Sequence, residues 1–527
     1  MVLLIAVISL STLWSVGQQA EVFGRRVTWL DDDMMISLRY ARNLAEGRGL
    51  VWNEGERVEG YTNFLWTLGM VPAHWVAKPE SVSFVVSAVN AILLILLITQ
   101  LFRLIEIMGG RRWCATLGSL ALATSSPVLI WAVAGGETIL LALWLVLLAI
   151  ETTESGSGVQ RAVKIGLLGG LAYLTRPDAA VAVAVLLLAI AWRQRKDRVF
   201  LAWLVASLAL LPFLQLGFRL AYYGEWLPNT YHLKATVWEG RQRAGLMYAG
   251  ILLRTYWPWI AIAALASIGI RQVRPLVAAV AAHFLYIAWI GGDVLPELRF
   301  WVPVLPLLIA STFLGAGELQ LRLETKIGIL ARALPILVWV VVGVEAGTLP
   351  GTAPDSFLQR SESEENNVAI GYLLRQNSLP EARIAHFWAG AAAYFSERPG
   401  IDLLGKSDPV IARKAANEQS LAAGHNKYDL DYSLGKDPDV IVGDLGGKVV
   451  LSQPDILVFH KRSDYRAFAD LLEHPDFQSK YAPNLVGSSE STSQSIRRLS
   501  LDYHGLYVKE GSTAAKGFRE WMEPPPG

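Results

Sequence analysis

The sequence is poor in charge and almost free of cysteine. Charged residues make up 18% of its 527 positions, and 47 bases against 46 acids leave a formal net charge of +1. A chain this close to neutral has no overall electrostatic attraction for nucleic acid, so we expect no nucleic-acid partner. Cys114 is the only cysteine, which excludes a disulfide within the chain.

Several catalytic motifs are also absent. The sequence contains no HExxH, no CxxC pair and no EF-hand loop, and it has no P-loop, GxGxxG or GxSxG. We therefore expect neither a nucleotide-driven pump nor a hydrolase of the soluble type. No motif predicts a cofactor or a metal site, although a divalent metal ion stays an open alternative.

Apolar runs are frequent instead, because 53% of the residues are hydrophobic. About 20 such residues span a bilayer as a helix. The first run lacks a basic n-region and an A-x-A cleavage site, so we interpret it as a retained helix. The shorter run Phe64–Val76 predicts an interfacial or re-entrant helix. Residues 1–345 thus predict a mainly α, polytopic membrane module of about eleven spans: 2–18, 80–101, 113–132, 137–150, 163–175, 178–192, 199–219, 246–269, 275–290, 299–316 and 327–345.

Basic residues predict the orientation of this module. Five short linkers each carry at least two bases, and the positive-inside rule assigns such linkers to the cytoplasm. The alternating loops then share the outer face, beginning with a first outer loop at residues 19–79. Convergence of five motif-bearing loops predicts an active site on that face. The basic linkers contain Arg103, Arg111 and Arg112; Arg161 and Lys164; Arg193, Arg195, Lys196 and Arg198; Arg271 and Arg274; and Arg322 and Lys326.

The composition changes after about residue 350, where the chain becomes more polar and shows no further span. Short apolar runs alternate with helical patterns, which predicts a small α/β domain over residues 346–527. An odd number of spans with a cytoplasmic N-terminus places this domain outside the membrane. The predicted strands are Arg383–Trp388, Asp439–Val442 and Asp455–Phe459, and the predicted helices are Val368–Gln376 and Tyr465–Leu472.

Three consecutive acids, Asp31, Asp32 and Asp33, open the first outer loop. Partial desolvation and mutual repulsion raise the pKa of a carboxylate in such a cluster, which suits a general base. A charged stop at the membrane interface is the alternative interpretation.

Two more outer loops combine charge with helix starts. Glu137 follows two glycines at the start of an apolar helix, where the helix dipole favours an acid. Arg176 lies at membrane depth, where an arginine is costly unless it is functional or paired. A helix start and a structural Arg176–Asp178 pair are the alternatives.

The remaining two loops combine aromatic and basic residues. Tyr223 and its neighbours can stack on sugars, and Asn229 and His232 can hydrogen-bond hydroxyl groups. Lys234 and Arg299 suit a phosphate. The alternatives are an aromatic interfacial belt with a snorkelling lysine, and a turn with a helix-start salt bridge.

These motifs resemble integral-membrane GT-C glycosyltransferases, and in particular the terminal arabinofuranosyltransferases of mycobacterial cell-wall synthesis and their bacterial relatives. The chain departs from the family pattern at Met34-Met35 and in its third acid, Asp31. Which of the adjacent aspartates corresponds to the catalytic base of the family therefore stays open; Asp32 is favoured, then Asp33. The similar segments are 32–43, 47–63, 136–138, 174–178, 222–224, 227–230, 291–293 with 299–300, 402–405 and 424–425.

The resemblance implies an inverting transfer of a sugar, arabinofuranose favoured, from a polyprenyl-phosphate donor to an envelope glycan outside the bacterial cytoplasmic membrane. It implies that Asp32 or Asp33 is the catalytic base. The donor-binding candidates are Lys234, Arg176, Arg299, His232, Asn229 and Tyr223. The acceptor-binding or supporting candidates are Asp31, Arg39, Tyr40, Glu59, Tyr61, Thr62, Asn63, Glu137, Asp178 and Asp293.

Three alternatives remain at the level of function. One is a GT-C transferase that uses another lipid-linked sugar on lipopolysaccharide or protein. Another is a lipid-linked sugar transporter or flippase, but transporters place polar groups near the bilayer midplane, whereas here they lie in outer loops. The third is a non-catalytic envelope assembly protein.

Overall fold

The computed structural model describes residues 2–154, 156–235, 239–293, 297–327, 354–416, 424–442, 466–484 and 506–509. The chain begins with helix α1 (Val2–Gly17), followed by an antiparallel hairpin of β1 (Gln19–Val22) and β2 (Arg25–Thr28). The first outer loop then contains three short helices: α2 (Asp32–Ala45), α3 (Phe64–Met70) and α4 (Ala73–Val76). The last two confirm the short helical segment predicted over Phe64–Val76.

Eleven further helices follow among the described residues up to 327. They are α5 (Val82–Ile107), α6 (Arg112–Ala123), α7 (Ser126–Val133), α8 (Thr138–Thr153), α9 (Val159–Thr175), α10 (Ala180–Arg193), α11 (Arg198–Tyr223), α12 (Asn229–Lys234), α13 (Glu239–Gly269), α14 (Arg274–Ile290) and α15 (Leu305–Ile327). Single 3-10 turns at Pro177–Ala179, Arg271–Val273 and Val302–Val304 precede α10, α14 and α15.

Within the described residues, five helices are long and apolar enough to cross a membrane, or six if the bent pair α6 and α7 is one span. Leu188, Phe213 and Ile268 are 67%, 69% and 74% exposed, as expected for residues that face lipid. The chain is therefore a multi-pass membrane protein. Each predicted span up to residue 316 overlaps a helix, but the count of about eleven stays a prediction, and the span 327–345 lies outside the described residues.

The predicted span 113–132 is not one straight helix. It is divided into α6 and α7, which meet at 53°. The break falls where α7 begins with Pro127 in its first turn. Proline has no amide hydrogen to continue the preceding helix, but it fits the first turn of a new one.

Helices α9 and α11 approach each other closely. A Cβ atom on Gly166 would lie 2.0 Å from Ser207 Oγ and 2.6 Å from the Leu204 carbonyl oxygen. Small residues on one face permit this backbone approach, a common way of packing helices in membranes. The C-terminal end of α11 lies beside the first outer loop, which contains part of the predicted site.

The described residues after 353 form a mixed five-stranded sheet with helices. The strand order is β4-β3-β5-β7-β6, with β3 parallel to β4 and β5, and β7 antiparallel to β5 and β6. The elements are α16 (Pro354–Asn377), β3 (Ile384–His386), α17 (Ala391–Ser396), β4 (Gly400–Asp402), α18 (Pro409–Ala412), α19 (Leu430–Gly435), β5 (Val440–Val442), α20 (Arg466–Glu473), α21 (Pro475–Lys480), β6 (Tyr481–Asn484) and β7 (Leu506–Lys509).

We call these described residues, 354–509, the C-terminal segment. Two predicted strands coincide with β3 and β5, and the two predicted helices coincide with α16 and α20. The third predicted strand, Asp455–Phe459, lies outside the described residues. The domain boundary at residue 346 stays a prediction.

Candidate active site

The three aspartates at the start of α2 point in different directions. Asp31 is the N-cap: its carboxylate accepts the Asp33 N–H at 3.2 Å. Asp32 and Asp33 are the first two helical residues, and successive side chains on a helix diverge by about 100°. One acid therefore caps the helix, and the other two face different surroundings.

Asp33 lines a cavity, and basic side chains hold both of its oxygens. Lys406 Nζ donates to Asp33 Oδ1, and Arg299 Nη1 donates to Oδ2 at 3.0 Å. Burial by itself raises the pKa of Asp33, but the positive charges of Lys406, Arg299 and Lys234 outweigh it and hold that pKa well below its ordinary value. Asp33 is consequently ionised in the resting protein.

Asp32 turns towards the C-terminal segment instead. Its Oδ1 accepts the Ala391 N–H at 2.8 Å, and its own N–H donates to Glu364 Oε1 at 3.3 Å. Burial raises the pKa of Asp32 to about 7, although the bond from Ala391 opposes this shift. Asp32, the favoured base in the sequence, is thus placed against α17 and is absent from the cavity lining.

Arg176 joins two loops through a buried network. It makes a bidentate pair with Asp178, at 2.9 and 2.8 Å, and donates from Nη1 to Glu137 Oε1 at 2.6 Å. Glu137 in turn accepts from Asn63 Nδ2 at 2.9 Å. The Arg176–Asp178 pair, given above as the alternative interpretation, exists, but the same arginine also lines the cavity, so pairing does not remove it from the site.

Arg299 has a similar arrangement. It pairs bidentately with Asp293 at 3.0 Å while donating to Asp33. Its guanidinium lies over the rings of Phe300 and Trp131, at 5.2 and 5.4 Å from their centroids. A planar, permanently charged group held in this way is suited to a phosphate oxygen.

Two bases, the partly exposed Lys234 and the buried Arg241, have no acidic partner within ion-pair distance among the described residues. Lys234 makes no hydrogen bond or ion pair with them, and burial lowers its pKa to about 8 despite the attraction of Asp33. Arg241 donates to the Trp289 carbonyl oxygen at 3.0 Å and lies over its ring. Both bases line the larger cavity, which therefore holds two positive charges without a direct ion pair among the described residues.

The cavity has a narrow polar end and a wider chamber of about 560 Å³. Aromatic and aliphatic residues of the chamber include Leu227, Tyr286 and Trp289. The combined lining has six basic and four acidic side chains, a formal excess of two positive charges. These are Arg176, Arg219, Lys234, Arg241, Arg299 and Lys406, against Asp33, Glu137, Asp178 and Asp293.

Ten of the predicted site residues line this cavity: Asp33, Tyr61, Thr62, Asn63, Glu137, Arg176, Asp178, Lys234, Asp293 and Arg299. Eight do not, namely Asp31, Asp32, Arg39, Tyr40, Glu59, Tyr223, Asn229 and His232. The contacts of these eight residues show how they support the site.

Four of the eight stabilise the first outer loop. Arg39 donates to the carbonyl oxygens of Trp52 (2.8 Å) and Arg398 (2.7 Å), and Tyr40 donates to that of Val58 (2.9 Å). Glu59 pairs with Arg219 of α11, and Tyr223 donates to the Leu50 carbonyl oxygen at 2.7 Å.

Asn229 and His232 lie beside the C-terminal segment. Asn229 Nδ2 donates to the carbonyl oxygens of Gly405 and Lys406, both at 2.9 Å. The His232 carbonyl oxygen accepts from Lys427 Nζ at 2.9 Å. Asn229 therefore holds the chain that carries Lys406.

Sequence reasoning missed Lys406, Arg219 and Arg241. Lys406 directly follows the family-like segment 402–405, which was the available signal. Arg241 begins an apolar helix and resembles an ordinary interfacial base. Among the described residues, no group of three or more His, Cys, Asp or Glu side chains could hold a metal ion.

Comparison with known proteins confirms the predicted resemblance to the terminal arabinofuranosyltransferases. A protein of Mycobacterium tuberculosis named terminal beta-(1->2)-arabinofuranosyltransferase is 27% identical over 329 residues, which cover 55% of this chain and 52% of the relative. A Corynebacterium glutamicum protein of the same name is 29% identical over 339 residues, 53% of this chain and 47% of the relative. The chain spans about half the length of the curated relatives it matches.

The fold is similar to that of a protein of known structure. The crystal structure of ArnT from Cupriavidus metallidurans bound to undecaprenyl phosphate matches with a TM-score of 0.53 at 12% identity, covering 97% of this chain and 98% of ArnT. The predicted polytopic, mainly helical fold is thereby confirmed in its coarse form. Residues 357–494 match a family model described as a domain of unknown function (DUF8728).

Proposed function

We propose that the chain is an inverting glycosyltransferase that uses a polyprenyl-phosphate sugar on the outer face of the bacterial cytoplasmic membrane. The observation that carries the proposal is the composition of one cavity: an ionised carboxylate, an excess of basic groups and an apolar chamber. A carboxylate can accept the acceptor's proton, the bases suit a phosphate, and the chamber suits a polyprenyl chain.

The reaction is a single displacement at the anomeric carbon of the sugar. An acceptor hydroxyl oxygen bonds to that carbon while the bond to the phosphate oxygen breaks, and its electron pair leaves with the polyprenyl phosphate. The acceptor proton passes to Asp33. Because phosphate is already a good leaving group, no general acid is needed, and Arg176, Lys234 and Arg299 stabilise the departing charge.

Asp33 is proposed as the base in preference to Asp32, because it reaches the cavity. Its ionisation in the resting protein means that no proton has to leave before the acceptor arrives. Asp32 supports this arrangement by holding the start of α2 against α17, through the hydrogen bond from Ala391 N–H.

The donor and acceptor are proposed by similarity. The name of the two curated relatives favours arabinofuranose as the sugar and an envelope glycan as the acceptor. The ArnT complex with undecaprenyl phosphate supports a polyprenyl-phosphate donor.

Transfer by purified, reconstituted protein tests the proposal. Labelled polyprenyl-phosphate sugars, arabinofuranose among them, are incubated with candidate glycans. Product formation supports a transferase, whereas vectorial movement of the donor without product indicates a transporter and binding alone an assembly protein.

Asp33→Asn should lower transfer by about 10²–10⁴-fold, the usual contribution of a general base. Donor binding should survive, because the amide leaves the neighbouring bases in place. Asp32→Asn is the matched control: its amide oxygen still accepts the Ala391 N–H, so transfer should stay within about tenfold of the wild type, or 1.4 kcal/mol. Activity in the Asp32→Asn, Asp33→Asn double variant would contradict the assignment.

A further inference from the structure

The C-terminal segment contributes one charged side chain directly to the cavity. Lys406 lies in the loop after β4, and its side chain is only 10% exposed. It is separated from its partner Asp33 by 373 positions in the chain. The cavity therefore has its full lining only when the C-terminal segment packs against the first turn of α2.

The backbone of the Lys406 loop is held from two sides. The Asp402 carboxylate accepts the N–H groups of Leu404 and Gly405 at 3.0 Å and that of Ser407 at 2.7 Å. From the other side, Asn229 donates to the carbonyl oxygens of residues 405 and 406. The lysine side chain is a flexible chain of four carbons. The ammonium group can therefore move to another hydrogen-bond partner while the backbone stays fixed.

The two bases on Asp33 are not equivalent. Arg299 has a second acid, Asp293, which it holds by two hydrogen bonds at 3.0 Å. For Lys406, Asp33 is the only acid within ion-pair distance among the described residues. An anion that enters the cavity can therefore attract Lys406 with the loss of only the Lys406–Asp33 ion pair. Arg299 would stay in place because Asp293 holds it.

Resting on the function proposed above, we propose that Lys406 exchanges partners during the reaction cycle. In the resting protein it occupies Asp33 Oδ1; when the donor binds, its ammonium group moves to the donor phosphate. One oxygen of the Asp33 carboxylate is then open to the acceptor hydroxyl, while Arg299 keeps the other oxygen in place. The donor consequently binds before the acceptor can be activated.

The charge distribution agrees with this exchange. Among the charges that lower the pKa of Asp33, Lys406 has the largest effect. Its departure to the phosphate leaves the carboxylate a stronger proton acceptor at the step that needs one. The same movement brings the Lys406 ammonium group to the leaving phosphate. One side chain thus acts on both the Asp33 carboxylate and the leaving group.

The test compares Lys406→Met and Lys406→Arg with the wild type in reconstituted protein. Binding of an unglycosylated polyprenyl monophosphate is titrated first, followed by kcat and donor KM. Loss of a charge-assisted bond predicts that Lys406→Met raises both Kd and donor KM about tenfold or more, with a smaller change in kcat. Lys406→Arg keeps the positive charge and should restore Kd to within about threefold.

Lys414→Met is the matched control. This lysine belongs to the same segment, is 47% exposed and pairs with Asp429. It should leave binding, kcat and KM unchanged, and a melting curve for each variant detects loss of folding. If Lys406→Met unfolds, the same measurements are compared between the wild type, Lys406→Arg and Lys406→Gln instead.

Wild-type Kd retained in a folded Lys406→Met variant would overturn the exchange, as would failure of the wild type to bind polyprenyl monophosphate. If phosphate binding depends on residue 406 but no sugar is transferred from any donor, the proposed transferase function fails while the phosphate contact of Lys406 stands.

Discussion

Lys234 gives the cavity a charge that depends on pH. Because burial lowers the pKa of Lys234 to about 8, the residue is a cation below that pH and loses its charge above it. Asp33, Lys406, Arg299 and Asp293 face it and share its electrostatic field. Its attraction for a phosphate is therefore complete near neutral pH and is lost as the pH rises through about 8.

We accordingly expect the affinity for polyprenyl monophosphate to fall above about pH 8 in the wild type. Lys234→Arg should remove this fall, because the arginine pKa lies above about 12. The measurement is Kd over the range from about pH 6 to pH 10 for both proteins. A wild-type Kd that does not change near pH 8, or an equal fall in Lys234→Arg, would show that another group is responsible.

The chemistry of single residues was predictable, but their partners were not. Asp33, Arg176, Lys234 and Arg299 stand out because charge beside a membrane span is costly without a function or a partner. The choice between two adjacent aspartates depends on which packs against Ala391, a contact made 359 positions away. Lys406 is equally remote from the loop that it completes, so spacing along the chain gave no sign of it.

At the scale of elements, helix α11 packs on α9 and also contacts the first outer loop. Arg219 near the C-terminal end of α11 pairs with Glu59, a buried residue of that loop. Movement of α11 would therefore displace the loop. The two helices approach closely at Gly166, opposite Ser207 and the Leu204 carbonyl group.

Gly166→Ala should destabilise the protein by about 1–3 kcal/mol, because the added carbon collides with the backbone of α11 and overpacking has a cost of that size. Gly217→Ala is the control: it lies on α11 with nothing within 4 Å of the new Cβ. The measurement is the thermal unfolding midpoint in detergent. A lower midpoint for Gly217→Ala than for Gly166→Ala would contradict the packing argument.

The positions of helices followed from apolar runs, but their continuity did not. The span predicted over 113–132 is broken where Pro127 lies in the first turn of a new helix, and the two helices meet at 53°. Helix α11 contains Pro212 and is nevertheless one element over 26 residues. The same residue type thus ends one helix and stays within another, and local sequence alone does not distinguish the two.

At the scale of the molecule, the first outer loop and the C-terminal segment are parts of one site. Arg39 of α2 donates to the carbonyl oxygens of Ala393 and Arg398, and Asn53 Nδ2 donates to that of Gly400 at 2.8 Å. Asp33 and Lys406 meet beside this contact. Since the segment completes the cavity, both must lie on the same face of the membrane, and our proposal assigns that face to the outside.

Cysteine labelling tests this orientation. The chain is suited to the method because its native cysteine, Cys114, is buried and should react little with the label. Glu54 lies in the first outer loop and Lys196 in a basic linker, and both are exposed. With a membrane-impermeant maleimide, Glu54→Cys should react in intact spheroplasts, whereas Lys196→Cys should react only after the membrane is opened. Labelling of Lys196→Cys in intact spheroplasts, with Glu54→Cys protected, would place the cavity on the cytoplasmic face and contradict a reaction outside the membrane.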